Sequence, residues 1–267
     1  MIAAHPSTKV VQPQSRLPRD IEKKVVSFAK SRWHDKWVSD SNHTHELIRA
    51  LWKSAPKVQR KDPNFLILLM TLAWTNERKK RHGRDSTLIW RNRNIATYLT
   101  CASDQLVGEI SNEFPDLERK AAANLLARHT GITNYHHPLR PATISVVRQK
   151  APIVAAMFRK VASKSKPEES KIRFVVHRIA SLGTIRGTSL LNGLSPVLAC
   201  LDPMRQFPII NARTRPLQRL LGLQEDAEDV IAYSGLIGSP GISDSLELDA
   251  CASWYSGNKQ KRRWKRR

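Results

Sequence analysis

Positive charge is what this chain has to fold around. It holds 45 Lys and Arg against 23 Asp and Glu, a formal net charge of +22. Self-repulsion of that size works against compaction. A folded state therefore needs an apolar core large enough to offset it, with the cations left in water or on a partner. The excess is also segregated. Residues 1–219 carry 38 basic and 16 acidic side chains, 220–258 carry seven acids and no Lys or Arg, and 259–267 carry seven bases and no acid. A polyanionic partner is the simplest reason to keep such a surface, because each neutralised phosphate releases a condensed counterion and makes binding strong and salt-dependent. Nucleic acid is the expected partner on this footprint; the alternative is a basic surface that is merely solvated.

At 267 residues, 40% of them apolar, the chain has the material for one large domain or two smaller ones. Its longest nearly continuous apolar run, Phe65 to Trp74, is far below the roughly 18 residues of a membrane span and reads as a buried helix. No membrane association is expected. Cys101, Cys200 and Cys251 are widely spaced and form no CxxC pair, which fits neither a disulfide framework nor a thiolate metal site. An intracellular, reducing compartment follows as the expectation: nucleus or cytoplasm. Residues 1–20 lack the apolar segment of a secretory leader. Lys9, Arg16 and Arg19, with no acid before Asp20, leave an organellar transit peptide open.

Periodicity predicts an all-α protein, a helical bundle with no strand ladder. Pro6, Pro13 and Pro18 mark a disordered start over 1–19, and a helical domain over 20–162 follows. Within it, helices are expected from near Asp20, from Asn42 or Thr44 through Trp52, after Asp62-Pro63, over 94–106 and 116–129, and from Ala142 to Val161, with a loop over 131–141. Ser163 to Ser170 reads as a linker. A helix from Lys171 opens a glycine-punctuated region over 171–222, an acidic segment covers 223–258, and 259–267 is expected to be a disordered basic tail.

Leu182 to Arg213 is the most specific text. A helix, a turn with Gly183 and Gly187, and a second apolar helix lead to Asp202-Pro203 and then to Phe207-Pro208-Ile209-Ile210-Asn211. Glycine allows a sharp turn and close approach to another surface. If Gly187, Thr188 and Ser189 open the second helix, their amides face an anion with the helix dipole behind them. An ordinary corner of a helical core is the other reading. The run from Leu182 to Thr214 resembles the core of the helix-hairpin-helix DNA glycosylase superfamily, the endonuclease III and 8-oxoguanine glycosylase type. There a glycine hairpin precedes an apolar helix and a segment of the form Asp-Pro…Phe-Pro-x-x-Asp, whose last Asp is the catalytic carboxylate.

The resemblance implies DNA binding through the backbone around Gly183, Thr184, Arg186, Gly187, Thr188 and Ser189, with base flipping if chemistry survives. Asn211 occupies the catalytic Asp position, and an amide can neither accept a proton as a base nor supply negative charge, so that site is expected to be inactive. Members that also cleave the strand use a hairpin Lys, and no Lys occurs between Lys171 and Lys259. Any activity would be monofunctional base excision. Gly183 and Gly187 are four apart rather than two, and Pro196 falls where the second helix should be continuous. The alternative is a non-catalytic, structural RNA-binding component of a ribonucleoprotein.

Two further basic clusters stand out. Arg78, Lys79, Lys80, Arg81, Arg84, Arg91 and Arg93 surround Trp90, and Lys261, Arg262, Arg263, Trp264, Lys265, Arg266 and Arg267 form the tail. Cations interleaved with aromatics suit phosphate contact plus base stacking; Trp33, Trp37 and Trp52 fit helix packing equally well. The tail also fits a nuclear-localisation signal. Glu225 to Asp229 offers either a solvated acidic face or a mask for that tail. His43 and His45, and the adjacent His136 and His137, lack partners at zinc spacing, so no metal or cofactor is expected.

Overall fold

A computed structural model describes residues 16–31, 45–46, 48–53, 55–73, 141–164, 168–182, 187–223 and 226–264. They form helices and turns and no strand, as the periodicity predicts. α1 is Arg19–Ala29, and residues 48–53 are helical; a 3₁₀ turn, Gln59–Lys61, leads to α2, Pro63–Leu72. Next come α3 (Pro141–Gln149), α4 (Ala151–Val161), α5 (Glu168–Ser181) and α6 (Gly187–Leu201). The last three are α7 (Arg215–Leu220), α8 (Ala227–Ser234) and α9 (Ser245–Trp264). The expected elements over 94–106, 116–129 and 131–140 lie outside the described residues, as do Trp33, Trp37 and Trp90.

Local chemistry sets most of the helix starts. Asp62 caps α2 by accepting from the Asn64 amide at 2.8 Å, and Pro63 occupies the first turn, where its missing N–H costs nothing. Every residue of α2 from Phe65 to Leu72 is buried, as an all-apolar helix requires. Pro216 likewise sits in the first turn of α7, with Thr214 at its N-cap position. The predicted helix over 142–161 is in fact two. Lys150 leaves helical geometry (φ −124°, ψ 28°), its carbonyl accepts from Ile153 and Val154, and Pro152 starts α4.

α6 lies against α2, α3, α4 and α5 and forms the middle of the core. Pro196 does not break it, contrary to the expectation from sequence. An internal proline costs a helix about 3 kcal/mol. Burial of Leu194, Val197 and Leu198 on one face of α6, with Ala199 and Cys200 on other sides, offsets that cost. Beside the proline, Ser195 accepts from the Ile210 amide (2.9 Å) and donates to the Ile210 carbonyl (3.0 Å), pinning the extended 207–210 segment to α6.

Two other boundaries differ from the sequence reading. Residues 168–170, placed in a linker, are the first turn of α5, and α4 and α5 on either side of 163–170 pack directly on each other. The C-terminal end is not a disordered tail as far as Trp264, because α9 is one helix from Ser245. Its first half is anchored in the core through Leu246, Leu248, Ala250, Cys251 and Ala252, and Trp254 stacks on Phe28 of α1 with ring centroids 5.4 Å apart. Beyond exposed Gly257 each added residue gains a backbone bond, Lys and Arg are good helix formers, and cations suit the negative end of the helix dipole. The acidic segment is likewise folded: α8 packs on α5, and Asp226 caps α8 through the Asp229 amide. Gly241, at φ +82°, passes so close to α1 that a Cβ would come within 3.3 Å of Val26 Cα and Ala29 Cβ.

Ser195→Ala would leave the buried N–H and C=O of Ile210 without their side-chain partner. It is expected to cost about 1–3 kcal/mol in urea unfolding, with the helical circular dichroism unchanged.

Candidate functional site

The Asp-Pro segment that follows α6 is organised by a buried carboxylate. Asp202 is fully buried and accepts from Lys171 Nζ at 2.7 Å, from the Gln206 amide at 2.6 Å and from the Phe207 amide at 3.0 Å, with a longer contact of 3.4 Å from Met204. Lys171, on α5, is equally buried and also lies 3.2 Å from Glu168 Oε2, an ion pair without hydrogen-bond alignment. Burial alone would lower the Lys171 pKa; the hydrogen bond and charge of Asp202, with help from Glu168, more than reverse this and raise it. Burial and the neighbouring Asp202 charge push the Glu168 carboxyl up to about 7. His45 is buried with no hydrogen-bond partner on either ring nitrogen. Burial, then the Arg205 and Arg49 charges, lower its pKa to about 4, which keeps it neutral. It is a core histidine; His43 lies outside the described residues.

Beside this network a cleft of about 360 Å³ opens between residues 49–60, the end of α4 and the start of the Asp-Pro turn. Its cations are Arg49, Lys53, Arg60, Arg159 and Lys164, its apolar lining is Trp52, Ala162, Leu201 and Pro203, and no carboxylate is among its described lining residues. Arg49 and Lys53 are four apart in the helical stretch 48–53, so they share a face. Arg60 is positioned before any ligand arrives. Its Nε donates to the Ala55 carbonyl and Nη2 to the Lys53 carbonyl, both at 2.8 Å, and the guanidinium lies 5.3 Å over the Trp52 ring. Trp52 itself is held by Phe65, parallel at 6.3 Å, and by the edge of Phe158 at 5.9 Å. It is a wall and not a free stacking platform. On the adjoining α4–α5 surface, Lys160 and Arg178 both lie over Phe174, at 5.5 and 5.3 Å.

Asn211 is placed differently from a catalytic residue. It is buried, its Oδ1 accepts from the Arg213 amide at 2.8 Å and the Thr214 amide at 3.2 Å, and its Nδ2 donates to Asp249 Oδ1 at 2.9 Å. It builds the turn into α7 and ties that turn to α9. Asp249, on α9, is buried with Oδ2 unpartnered; burial lifts its pKa to about 7 against the lowering effects of the Asn211 hydrogen bond and the Arg213 charge. Neither Asn211 nor Asp249 lines the cationic cleft.

Of the other residues singled out by sequence, Gly187 is the first residue of α6, with Thr188 and Ser189 in its first turn. Lys261, Arg262, Arg263 and Trp264 are the last residues of α9. Gly183, Thr184, Arg186, the Arg78 to Arg93 cluster and Lys265 to Arg267 lie outside the described residues. Glu228 of the acidic segment pairs with Arg173 on α5. The five cleft cations were not anticipated. Arg49 and Lys53 at helical spacing was the available signal; Arg159 and Lys164 lie a hundred residues further along and join them only through packing. No protein-family model, no curated protein and no solved structure matches this chain.

Two measurements probe these buried charges. Lys171→Met would strand Asp202 without its cation and is expected to destabilise by about 3–5 kcal/mol, read from urea unfolding. Asp249 has a folded pKa of about 7, above its ordinary 3.8, so between these values the native state holds a proton the unfolded state has lost. Its contribution to stability therefore falls as pH rises from about 4 to about 7. His45 acts in the opposite sense below its ordinary 6.5, so the comparison must be with a variant. Asp249→Asn is expected to gain on the wild type steadily over that window and to level off above it.

Proposed function

We propose that this protein binds nucleic acid through the cationic cleft and the α5–α6 hairpin region, and that it does not excise bases. The observation that carries the reading is the cleft: Arg49, Lys53, Arg60, Arg159 and Lys164 converge on one concavity with no carboxylate among its described lining residues. Like charges gathered this way repel one another, and a phosphate backbone relieves that repulsion while releasing counterions. A net charge of +22 over the whole chain points to the same partner.

DNA is favoured by the resemblance of residues 182–214 to the glycosylase hairpin, with α6 opening at Gly187 so that its first amides are oriented for a phosphate. The absence of excision is supported by Asn211, whose amide is spent on a turn and on Asp249. A glycosylase needs a carboxylate facing a base-sized cleft, and this cleft has cations there instead. Basic side chains at the end of α9 would add a non-specific arm along the backbone. The whole would act as a scaffold that holds nucleic acid, with RNA as the other polymer to be tried.

The test is salt-titrated binding of matched duplex DNA, lesion-bearing duplex and structured RNA, with strand integrity followed in the same samples. Steep salt dependence without lesion preference or base release is expected. Arg159→Gln and Lys164→Gln should each weaken binding about equally across sequences and flatten the slope of log K against log salt by about one unit. An unchanged slope would remove the cleft from the interface, and base release would restore catalysis to the reading.

A further inference from the structure

The size and concentrated charge of the cleft suit a strand end better than an internal stretch of duplex. Its 360 Å³ is near the lower end of the roughly 300–1,000 Å³ range of small-ligand sites, enough for one nucleotide-sized group. A phosphodiester brings a single negative charge, and duplex phosphates are spread along a convex surface that touches a flat basic face more readily than a concave one. Here five cations converge, and Arg60 is fixed in place by two backbone carbonyls and the Trp52 ring. Two acids close to the Asp-Pro turn and α5 do not compensate them. Asp202 lies beneath Pro203, with its charge already taken up by Lys171 and backbone amides, and Glu168 is pushed toward its neutral form. Leu201, Pro203 and Ala162 supply an apolar wall beside the cations, which suits the sugar or base of a terminal nucleotide. The anion that best matches is one carrying nearly two charges on three terminal oxygens, which Arg side chains can grip in bidentate fashion.

We infer that the Arg49–Lys53–Arg60–Arg159–Lys164 cleft holds the terminal phosphomonoester of a nucleic-acid strand. This rests on the nucleic-acid reading above and deepens it: the protein takes a phosphorylated strand end in the cleft while the remaining basic surface follows the strand. The role of the cleft here is binding: its lining is cationic and apolar apart from Ser163, with no carboxylate among the described lining residues.

The experiment uses the full chain and three oligonucleotides of one sequence, carrying a 5′-phosphate, a 3′-phosphate, or hydroxyls at both ends, as DNA and as RNA. Binding is measured at fixed ionic strength, with inorganic phosphate and a mononucleotide as competitors. One phosphorylated end is expected to bind at least about tenfold more tightly than the hydroxyl strand, the effect of nearly two added charges among several cations at close range. That preference should grow between pH 5.5 and 7.5 as the monoester loses its second proton near pH 6. It should shrink toward unity in Arg159→Gln and in Lys164→Gln, both exposed positions whose replacement leaves the core untouched. Equal, tight and salt-steep binding of phosphorylated and hydroxyl ends would overturn end recognition and leave nucleic-acid binding standing. A mononucleotide that binds as tightly as the strand would also overturn it, making the ligand a free phosphate ester. Binding of no strand at all would sink the functional reading itself.

Discussion

The ion pair between Lys171 and Asp202 is the contact on which most of this architecture converges. It joins the first turn of α5 to the residue just after α6, so it ties the start of one helix to the end of the next. The same carboxylate accepts from Gln206 and Phe207 and curls residues 202–207 into a tight turn. Within that turn Arg205 adopts φ +55°, an uncommon conformation for a side chain with a Cβ, and its carbonyl is thereby turned to accept from Ser245 at the start of α9. Its guanidinium also reaches Asp244, 3.4 Å away. One buried carboxylate thus aligns the core helix, the floor of the cleft and the entry to the C-terminal helix. Breaking such a pair is costly because the surviving charge stays buried, whereas the pair itself contributes little over apolar residues of the same size. Its value here is geometric.

Charge is handled in two ways in this molecule. Buried ionisable groups are paired, hydrogen-bonded or held neutral: Lys171 with Asp202, Asn211 with Asp249, and His45 as uncharged imidazole. The cleft cations are left without acids among the described lining residues and lean on carbonyls and rings instead. Most of the described acids of 220–258 are engaged within the fold. Asp226 and Asp244 cap helices, Glu228 binds Arg173, and Asp249 is buried. The acidic stretch is therefore structural over most of its length, not simply a solvated face.

The identity of residue 211 is set by what it faces. An aspartate there would face the buried carboxylate of Asp249, two like charges in one apolar site, and one of them would have to stay protonated. An asparagine donates to that carboxylate while its oxygen caps the next turn. Asn211 and Asp249 fit each other as an amide donor and a buried carboxylate acceptor.

Sequence alone determined the all-α class, because apolar residues recur at helical spacing and nothing alternates. It also determined the local signals that need only neighbours: the Asp62-Pro63 start, the α7 start at Pro216, the buried run of α2 and the segregation of charge. The break at Lys150, the continuity of α6 through Pro196 and the helical path of α9 to Trp264 could not be read this way, since each depends on how much apolar surface the rest of the chain covers. The cleft was decided by tertiary structure for a stronger reason. Arg49 and Arg159 are each unremarkable on their own helix, and electrostatic potential depends on separation in space. Only packing of α4 beside residues 48–60 turns scattered cations into one site.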